Sequence, residues 1–328
     1  ETVRNTMIDV HSLTRYYGKI PAVNNASFSI EHRQIVGLLG HNGAGKTTVM
    51  KMLSGYLEPS AGSIHIGGLE LRANVRKIQH SLGYLPENLP VYPEMNVGDF
   101  LDYAAHLKGL RGADKSHAIR RSVDATALGA RFFDPIGQLS RGFKQRVGVA
   151  QAILGKPELL ILDEPGNGLD PEQNEQMRAL IRELAADATV ILSTHIMQEV
   201  DALCDRVLVL SNGRLALDSE LASLRESNAL QLLTGNEVAG LNDLLSQLPQ
   251  IAAVERVESL ENMAVEEDQL AFRLLLHPGT ALDTAACNVS RAVIDAGARL
   301  NRLMPEHKTL EQIFRDATRR EEGVSHAA

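Results

Sequence analysis

The 328-residue sequence has little cysteine, no long apolar run and no excess of positive charge. Two cysteines cannot build a disulfide framework and suit a reducing compartment. The longest apolar stretches, such as Ile35 to Gly40 and Leu159 to Leu162, fall far below the ~18 residues a spanning helix needs. Glu1 to Asp9 is polar and charged, so no signal peptide is expected there. Lys and Arg number 33 against 41 Asp and Glu, a net charge of −8 that argues against a generic nucleic-acid binder. Internal repeats and low-complexity segments are absent from the sequence. What is present is an ordinary globular composition, 44% hydrophobic and 23% charged, which excludes disorder along most of the chain. A length of this order suits about two domains.

The first 220 residues alternate between short apolar β-rich runs and amphipathic helical stretches. Ile35 to Leu39, Leu159 to Leu162, Thr189 to Leu192 and Val207 to Leu210 are continuous apolar runs, as expected of parallel strands buried on both faces. Helices are expected over Lys46 to Ser54, stopped by Gly55, over Pro171 to Ala186 and over His195 to Leu203. Residues 96–154 show helical periodicity and no strand. Val97, Phe100, Leu101 and Ala104 share one face; Val147, Ala150 and Leu154 share another. That segment reads as a helical insertion in an α/β core.

Beyond about Glu220 the pattern becomes β-α-β-β-α-β, the ferredoxin-like split motif. The expected strands are Ala229 to Thr234, Ala253 to Leu260, Gln269 to Leu276 and Arg299 to Met304; the helices are Leu241 to Leu248 and Ala281 to Ala296. A short helix, Leu310 to Ala317, precedes a polar tail, 319–328, expected to fray. The expected domains are therefore 1–220, containing the insertion at 96–154, and 221–318. Residues 221–328 carry 10 basic and 16 acidic side chains, so most of the net charge lies there.

Gly40-His41-Asn42-Gly43-Ala44-Gly45-Lys46-Thr47 fits G-x-x-x-x-G-K-[ST] between an expected strand and an expected helix. Gly40, Gly43 and Gly45, with Asn42 and Ala44 between them, let backbone N–H groups turn inward around phosphate oxygens. The helix start adds partial positive charge. Lys46 is placed to reach the β- and γ-phosphates of a nucleoside triphosphate, Thr47 to ligate Mg²⁺, and Thr48 to donate to the α-phosphate. Leu159 to Leu162 ends in Asp163 and Glu164. Asp163 suits the Walker B role toward Mg²⁺. Glu164 stands where a carboxylate polarises water for attack on the γ-phosphate. The expected fold is thus α/β, a P-loop NTPase core with a helical subdomain, plus a small C-terminal ferredoxin-like α+β domain.

Leu139-Ser140-Arg141-Gly142-Phe143-Lys144-Gln145-Arg146 precedes this strand; Asn167-Gly168-Leu169-Asp170 and Ser193-Thr194-His195 follow it. Five motifs in this order resemble the ATP-binding-cassette transporter ATPases over roughly residues 7–220. The resemblance implies ATP and Mg²⁺ as ligands and further roles. Tyr17, with Tyr16 as a rival, looks like the aromatic that stacks on adenine. Ser140 and Gly142 look like signature residues that contact the γ-phosphate of ATP held by the opposite subunit. Asp170 resembles an aspartate of the dimer seam, and His195 the histidine that contacts the γ-phosphate and attacking water. Two departures stand out. Arg141 and Phe143 interrupt the usual Leu-Ser-Gly-Gly-Gln signature, and Glu87 occupies the position of the usual glutamine, where its carboxylate is able to bind Mg²⁺.

Leu85-Pro86-Glu87, the Leu-Ser-Arg-Gly-Phe signature and the single cassette resemble best an exporter branch that includes gliding-motility, drug and polysaccharide systems. Its members often carry a small C-terminal domain ending in a Leu-Glu-x-hydrophobic-Phe helix; Leu310-Glu311-Gln312-Ile313-Phe314 fits it. The resemblance implies an ATPase that powers an integral membrane permease from the cytoplasmic face, as a homodimer or as a heterodimer with a sister cassette. The weaker alternative is a non-transport ATPase acting in translation or repair. Asn88 and the Pro90 to Pro93 segment lie where the family usually touches the membrane subunit. All phosphate, Mg²⁺ and base roles are filled before residue 196. Residues 221–328 are therefore expected to regulate or to stabilise a dimer, outside the chemistry.

Overall fold

A computed structural model describes residues 6–235, 238, 240–260, 263–264, 269–307 and 309–325. The chain forms two compact units: Glu1–Leu221 together with Phe314–Ala328, and Ala222–Ile313.

The first unit opens with two long antiparallel strands, β1 (Thr6–Tyr17) and β2 (Ile20–Glu31). Then come β3 (Ile35–Leu39), α1 (Lys46–Leu53), β4 (Ala61–Ile66), β5 (Leu69–Glu70), α2 (Leu71–Ser81) and β6 (Leu82–Leu85). The insertion supplies α3 (Val97–Leu107), α4 (Gly112–Ala125) and α5 (Arg141–Ala152). The core resumes with β7 (Leu159–Asp163), α6 (Pro171–Ala185), β8 (Thr189–Ser193), α7 (Met197–Leu203), β9 (Arg206–Ser211) and β10 (Arg214–Glu220).

Two sheets result. Six strands run in the order β10-β9-β3-β8-β7-β6, all parallel except β10. Every residue of β3, β7 and β8 is buried, as their unbroken apolar runs require. The second sheet, β2-β1-β4-β5, is antiparallel. The expectation of simple strand–helix alternation misses this sheet. Its strands alternate buried and exposed residues around bulges, a pattern that mixes polar with apolar residues and leaves no continuous apolar run. The same expectation misses β6, whose four residues carry too little pattern to read. Between the sheets and around α1 lies the main core, with Ile8, Leu13, Ile30, Leu38, Met50 and Ile161 at its centre.

The insertion has its own core, in which Val97, Phe100, Leu101 and Ala104 meet Val147, Ala150 and Leu154. Asn96 caps α3 by accepting the N–H of Asp99 at 2.7 Å. Lys108, just beyond α3, donates to the carbonyls of Leu154 at 2.8 Å and Ala152 at 3.1 Å. Burial pushes its pKa down to about 8, and the carbonyls offset the cost of sequestering its charge. Helix α7 begins at Met197, two residues after the expected His195, because Thr194 turns the chain by accepting the N–H of Ile196 at 3.1 Å.

The second unit starts within α8 (Leu221–Arg225). It continues through β11 (Glu226–Thr234), α9 (Leu241–Ser246), β12 (Ile251–Val257), the hairpin β13 (Ser259–Leu260) and β14 (Met263–Ala264), β15 (Leu270–Leu276), α10 (Leu282–Asp295) and β16 (Leu300–His307). Its sheet has the order β12-β15-β11-β16, wholly antiparallel, which is the split β-α-β topology read from the sequence. Leu230, Leu232, Phe272 and Leu274 pack under Val289 and Val293 of α10. On the other face Arg273 bonds Glu306 at 2.7 Å and Glu255 at 3.1 Å. The chain ends in α11 (Leu310–Ser325), longer than expected and extending into the polar segment; residues 326–328 lie outside the described part.

Candidate functional site

Strand β3 delivers the glycine-rich loop at the carboxyl edge of the six-stranded sheet, directly before α1. Two of the loop's glycines are sterically required. A Cβ on Gly40 would lie 2.7 Å from the Leu210 carbonyl; Gly45 has φ 106° and a Cβ there would lie 2.5 Å from the Ala22 carbonyl. Lys46 is buried and its Nζ donates to the carbonyl of Gly40 at 2.7 Å and to that of His41 at 3.3 Å.

Asn42, Gly43, Gly45, Lys46, Thr47 and Thr48 line a cleft of about 340 Å³ with Ala22, Glu87, Asp163 and Glu164. Residues spaced over 140 positions of sequence therefore meet at one edge of one sheet, where parallel α/β folds hold ligands. Glu87 is among them, in the loop after β6.

The two acids at the end of β7 have different surroundings. Asp163 is buried, and its Oδ1 accepts the hydroxyl of Ser193 at the end of the neighbouring strand β8. Its Oδ2 is buried with no partner. Glu164 has φ 53°, unusual for a residue with a side chain. Its N–H donates to Ser193 at both the backbone carbonyl (3.1 Å) and Oγ (3.2 Å), which holds that conformation. Its Oε2 lies 2.9 Å from Nδ1 of His195. Desolvation raises the Glu164 pKa above its ordinary value, opposed by His195 and by Lys46. The Glu164 side chain is largely buried, whereas His195 is exposed. Behind His195, the buried Glu199 accepts the hydroxyl of Thr194 at 2.7 Å.

Other sequence-selected residues lie apart from this cleft. Ser140 caps α5, accepting the N–H of Phe143 at 3.4 Å, and Gly142 is buried in the first turn against Gln173. Asp170 caps α6 by accepting the N–H of Gln173 at 2.8 Å. Tyr17 ends β1 half-exposed, with the Arg15 guanidinium 5.3 Å from its ring centre; Tyr16 is equally open. The sequence reading quoted Ser193 as the first residue of the Ser193-Thr194-His195 motif but gave it no role, and it missed Ala22; pairing of β7 with β8 is what brings Ser193 to the two acids.

A glycine-rich loop and two strand-end acids converging on one cleft define a P-loop nucleoside-triphosphatase. Residues 23–167 match the family model described as ABC transporter. The chain is 36% identical over 248 residues to the uncharacterized ABC transporter ATP-binding protein YxlF of Bacillus subtilis, covering 76% of this chain and 82% of that one. It is 35% identical over 226 residues to the bacitracin transport ATP-binding protein BcrA of Bacillus licheniformis, covering 68% and 73%. A solved ATP-binding subunit of an ABC transporter superposes with a TM-score of 0.62 at 31% identity, over 67% of this chain and 92% of that one. Some mammalian relatives are far longer, and this chain spans only 18–20% of their length. The chain belongs to the ABC transporter family, as an ATP-binding cassette that hydrolyses ATP.

Ser193 serves both acids, so Ser193→Ala leaves Asp163 with two unpartnered buried oxygens. Urea unfolding of that variant is expected to show a loss of about 1–3 kcal/mol relative to wild type.

Proposed function

We propose that this chain is the energy-coupling subunit of an exporter, working at the cytoplasmic face of a membrane on an integral permease. The observation that carries the hydrolytic half of this reading is the Glu164–His195 contact of 2.9 Å beside Lys46 and the loop glycines; the export half is drawn from the likeness to the bacitracin transport ATP-binding protein. In this reading the loop N–H groups and Lys46 hold the phosphates of ATP. Glu164 takes a proton from water as the water attacks the γ-phosphorus and the bond to ADP breaks, and His195 orients Glu164 and the water. The raised pKa of Glu164 suits a base better than an ordinary surface carboxylate does.

The residues fit Mg²⁺. Asp163 presents a buried, unpartnered carboxylate oxygen into a cleft that also holds the Thr47 hydroxyl and the Glu87 carboxylate, all hard oxygen donors. These three would hold the ion, which would supply positive charge to offset that of the phosphates.

Ser140 and Gly142, outside this chain's own cleft, are assigned to the ATP of a second cassette across a dimer, with Asp170 at the seam. α5 starts at the signature and directs its positive end outward from it. A homodimer places two equivalent sites face to face. Tyr17 is assigned to the adenine, being exposed and flat-faced. A groove of about 540 Å³ between α2 and α3, lined by Arg76, His80, Pro90, Tyr92, Phe100, Tyr103 and Leu107, is assigned to the permease. A second cavity, of about 480 Å³, shares Gln79, Pro90, Lys108 and Gln151 with that groove, and Thr47, Glu87 and Asp163 with the ATP cleft. Glu87 thus stands between the permease side and the phosphate side.

Glu164→Gln is expected to keep ATP binding and lower turnover ~10²–10⁴-fold in a steady-state phosphate-release assay. In wild type the active form is the carboxylate. Activity therefore falls as pH falls, with its acid limb above the ordinary glutamate range because the Glu164 pKa is raised. Glu87→Gln is expected to shift the Mg²⁺ dependence of turnover to higher concentration, since an amide is a weaker ligand for a hard cation. Isolation of the Glu164→Gln chain from membranes in ATP is expected to bring an integral membrane protein with it. Recovery solely with ribosomes or nucleic acid would overturn the exporter reading.

A further inference from the structure

The last helix reaches the phosphate-binding loop. Phe314 of α11 sets its ring against that of His41, the second residue of the loop, with centroids 4.9 Å apart and planes at 70°. Both residues belong to the first compact unit. Phe314 is buried although it stands near the end of the chain, whereas His41 is otherwise exposed.

The position of Phe314 is fixed locally. Thr309 and Gln312 form a reciprocal capping box: the Thr309 N–H donates to Gln312 Oε1 at 3.0 Å, and the Gln312 N–H donates to Thr309 Oγ1 at 3.3 Å. This sets the first turn of α11 and puts Phe314 just beyond it. One turn further, the buried Thr318 donates its hydroxyl to the Phe314 carbonyl at 3.0 Å. Leu310, Ile313 and Ala317 are also buried, so the apolar stripe is covered within a single chain.

His41 leads directly to the lysine. Its carbonyl accepts Lys46 Nζ at 3.3 Å and the N–H of Ala44 at 3.0 Å. A ring held over the His41 side chain thus restrains the backbone that carries the loop's inward N–H groups and one acceptor of the Lys46 ammonium. Gly43 and Gly45 at positive φ make this loop intrinsically permissive, so a restraint at its entrance reduces the ordering required when ATP binds.

We propose that Phe314 is a positioning residue of the ATP site, acting through His41 on the phosphate-binding loop. This assigns the last described helix an indirect part in nucleotide affinity, unlike the expectation that residues 221–328 stand outside the chemistry. It rests on the reading of the loop as the ATP phosphate site.

The test uses the full chain with a fluorescent ATP analogue and Mg²⁺, followed by steady-state turnover. An edge-to-face aromatic pair of ordinary strength corresponds to a rise of about two- to tenfold in Kd when the ring is lost. Phe314→Leu, which keeps an apolar side chain, is expected to show that rise in both Kd and KM, with kcat held within about twofold. Phe314→Tyr, which keeps the ring, is expected to bind as wild type. His41→Ala is expected to weaken binding by a similar factor, and the double variant by no more than either single one. Wild-type affinity in Phe314→Leu, wild-type affinity in His41→Ala, or effects that multiply in the double variant would each overturn the proposal. Should Phe314→Leu fold poorly, the exposed His41→Ala still decides it. Undiminished binding in Lys46→Ala would instead overturn the loop assignment itself.

Discussion

Much of the site hangs on one side chain, the hydroxyl of Ser193. It donates to Asp163 Oδ1 and accepts the N–H of Glu164, so it ties the ends of two neighbouring parallel strands. With one Asp163 oxygen used, the other is left free inside the cleft. With its N–H captured, Glu164 is held at a positive φ and its side chain faces His195, which follows Ser193 by two residues. The strain at Glu164 is thus balanced by hydrogen bonds from the strand that also carries its histidine partner.

The parallel sheet makes this arrangement available. Strands β3, β7 and β8 are adjacent, all buried, and all end at the same edge. The glycine loop from β3 and the acids from β7 therefore enter the same cleft, and His195, just after β8, meets it through Glu164. Their apolar sequence buries the strands, and the burial leaves the polar residues at the strand ends as the place where chemistry is placed. The antiparallel sheet serves the same site more modestly, since Ala22 on β2 forms one wall of the cleft and its carbonyl excludes any side chain at Gly45.

The signature serine and Asp170 illustrate how one residue satisfies two demands. Both are helix N-caps by geometry, each accepting the N–H three residues on. Capping accounts for them within one chain. It also fixes the positive ends of α5 and α6 where a second cassette would meet them in the proposed dimer.

Sequence alone determined the parallel strands β3, β7, β8 and β9, the glycine loop with Lys46, the paired acids and the helical insertion. Each of these is written in residues that are close together, so spacing and periodicity expose it. It also determined the split β-α-β order of the second unit, but not the β13–β14 hairpin, which takes the end of the expected strand Ala253 to Leu260. Tertiary structure alone decided the antiparallel sheet of β1, β2, β4 and β5, where bulges break the period that would have revealed it. It alone gave Ser193, which the sequence shows only as the first residue of a motif, its partner, since pairing of β7 with β8 sets that contact across 30 residues. It alone set Phe314, 273 positions after His41, against that residue's ring. No spacing encodes that meeting, because contacts between distant segments are chosen by which faces remain to be buried once the local elements have formed.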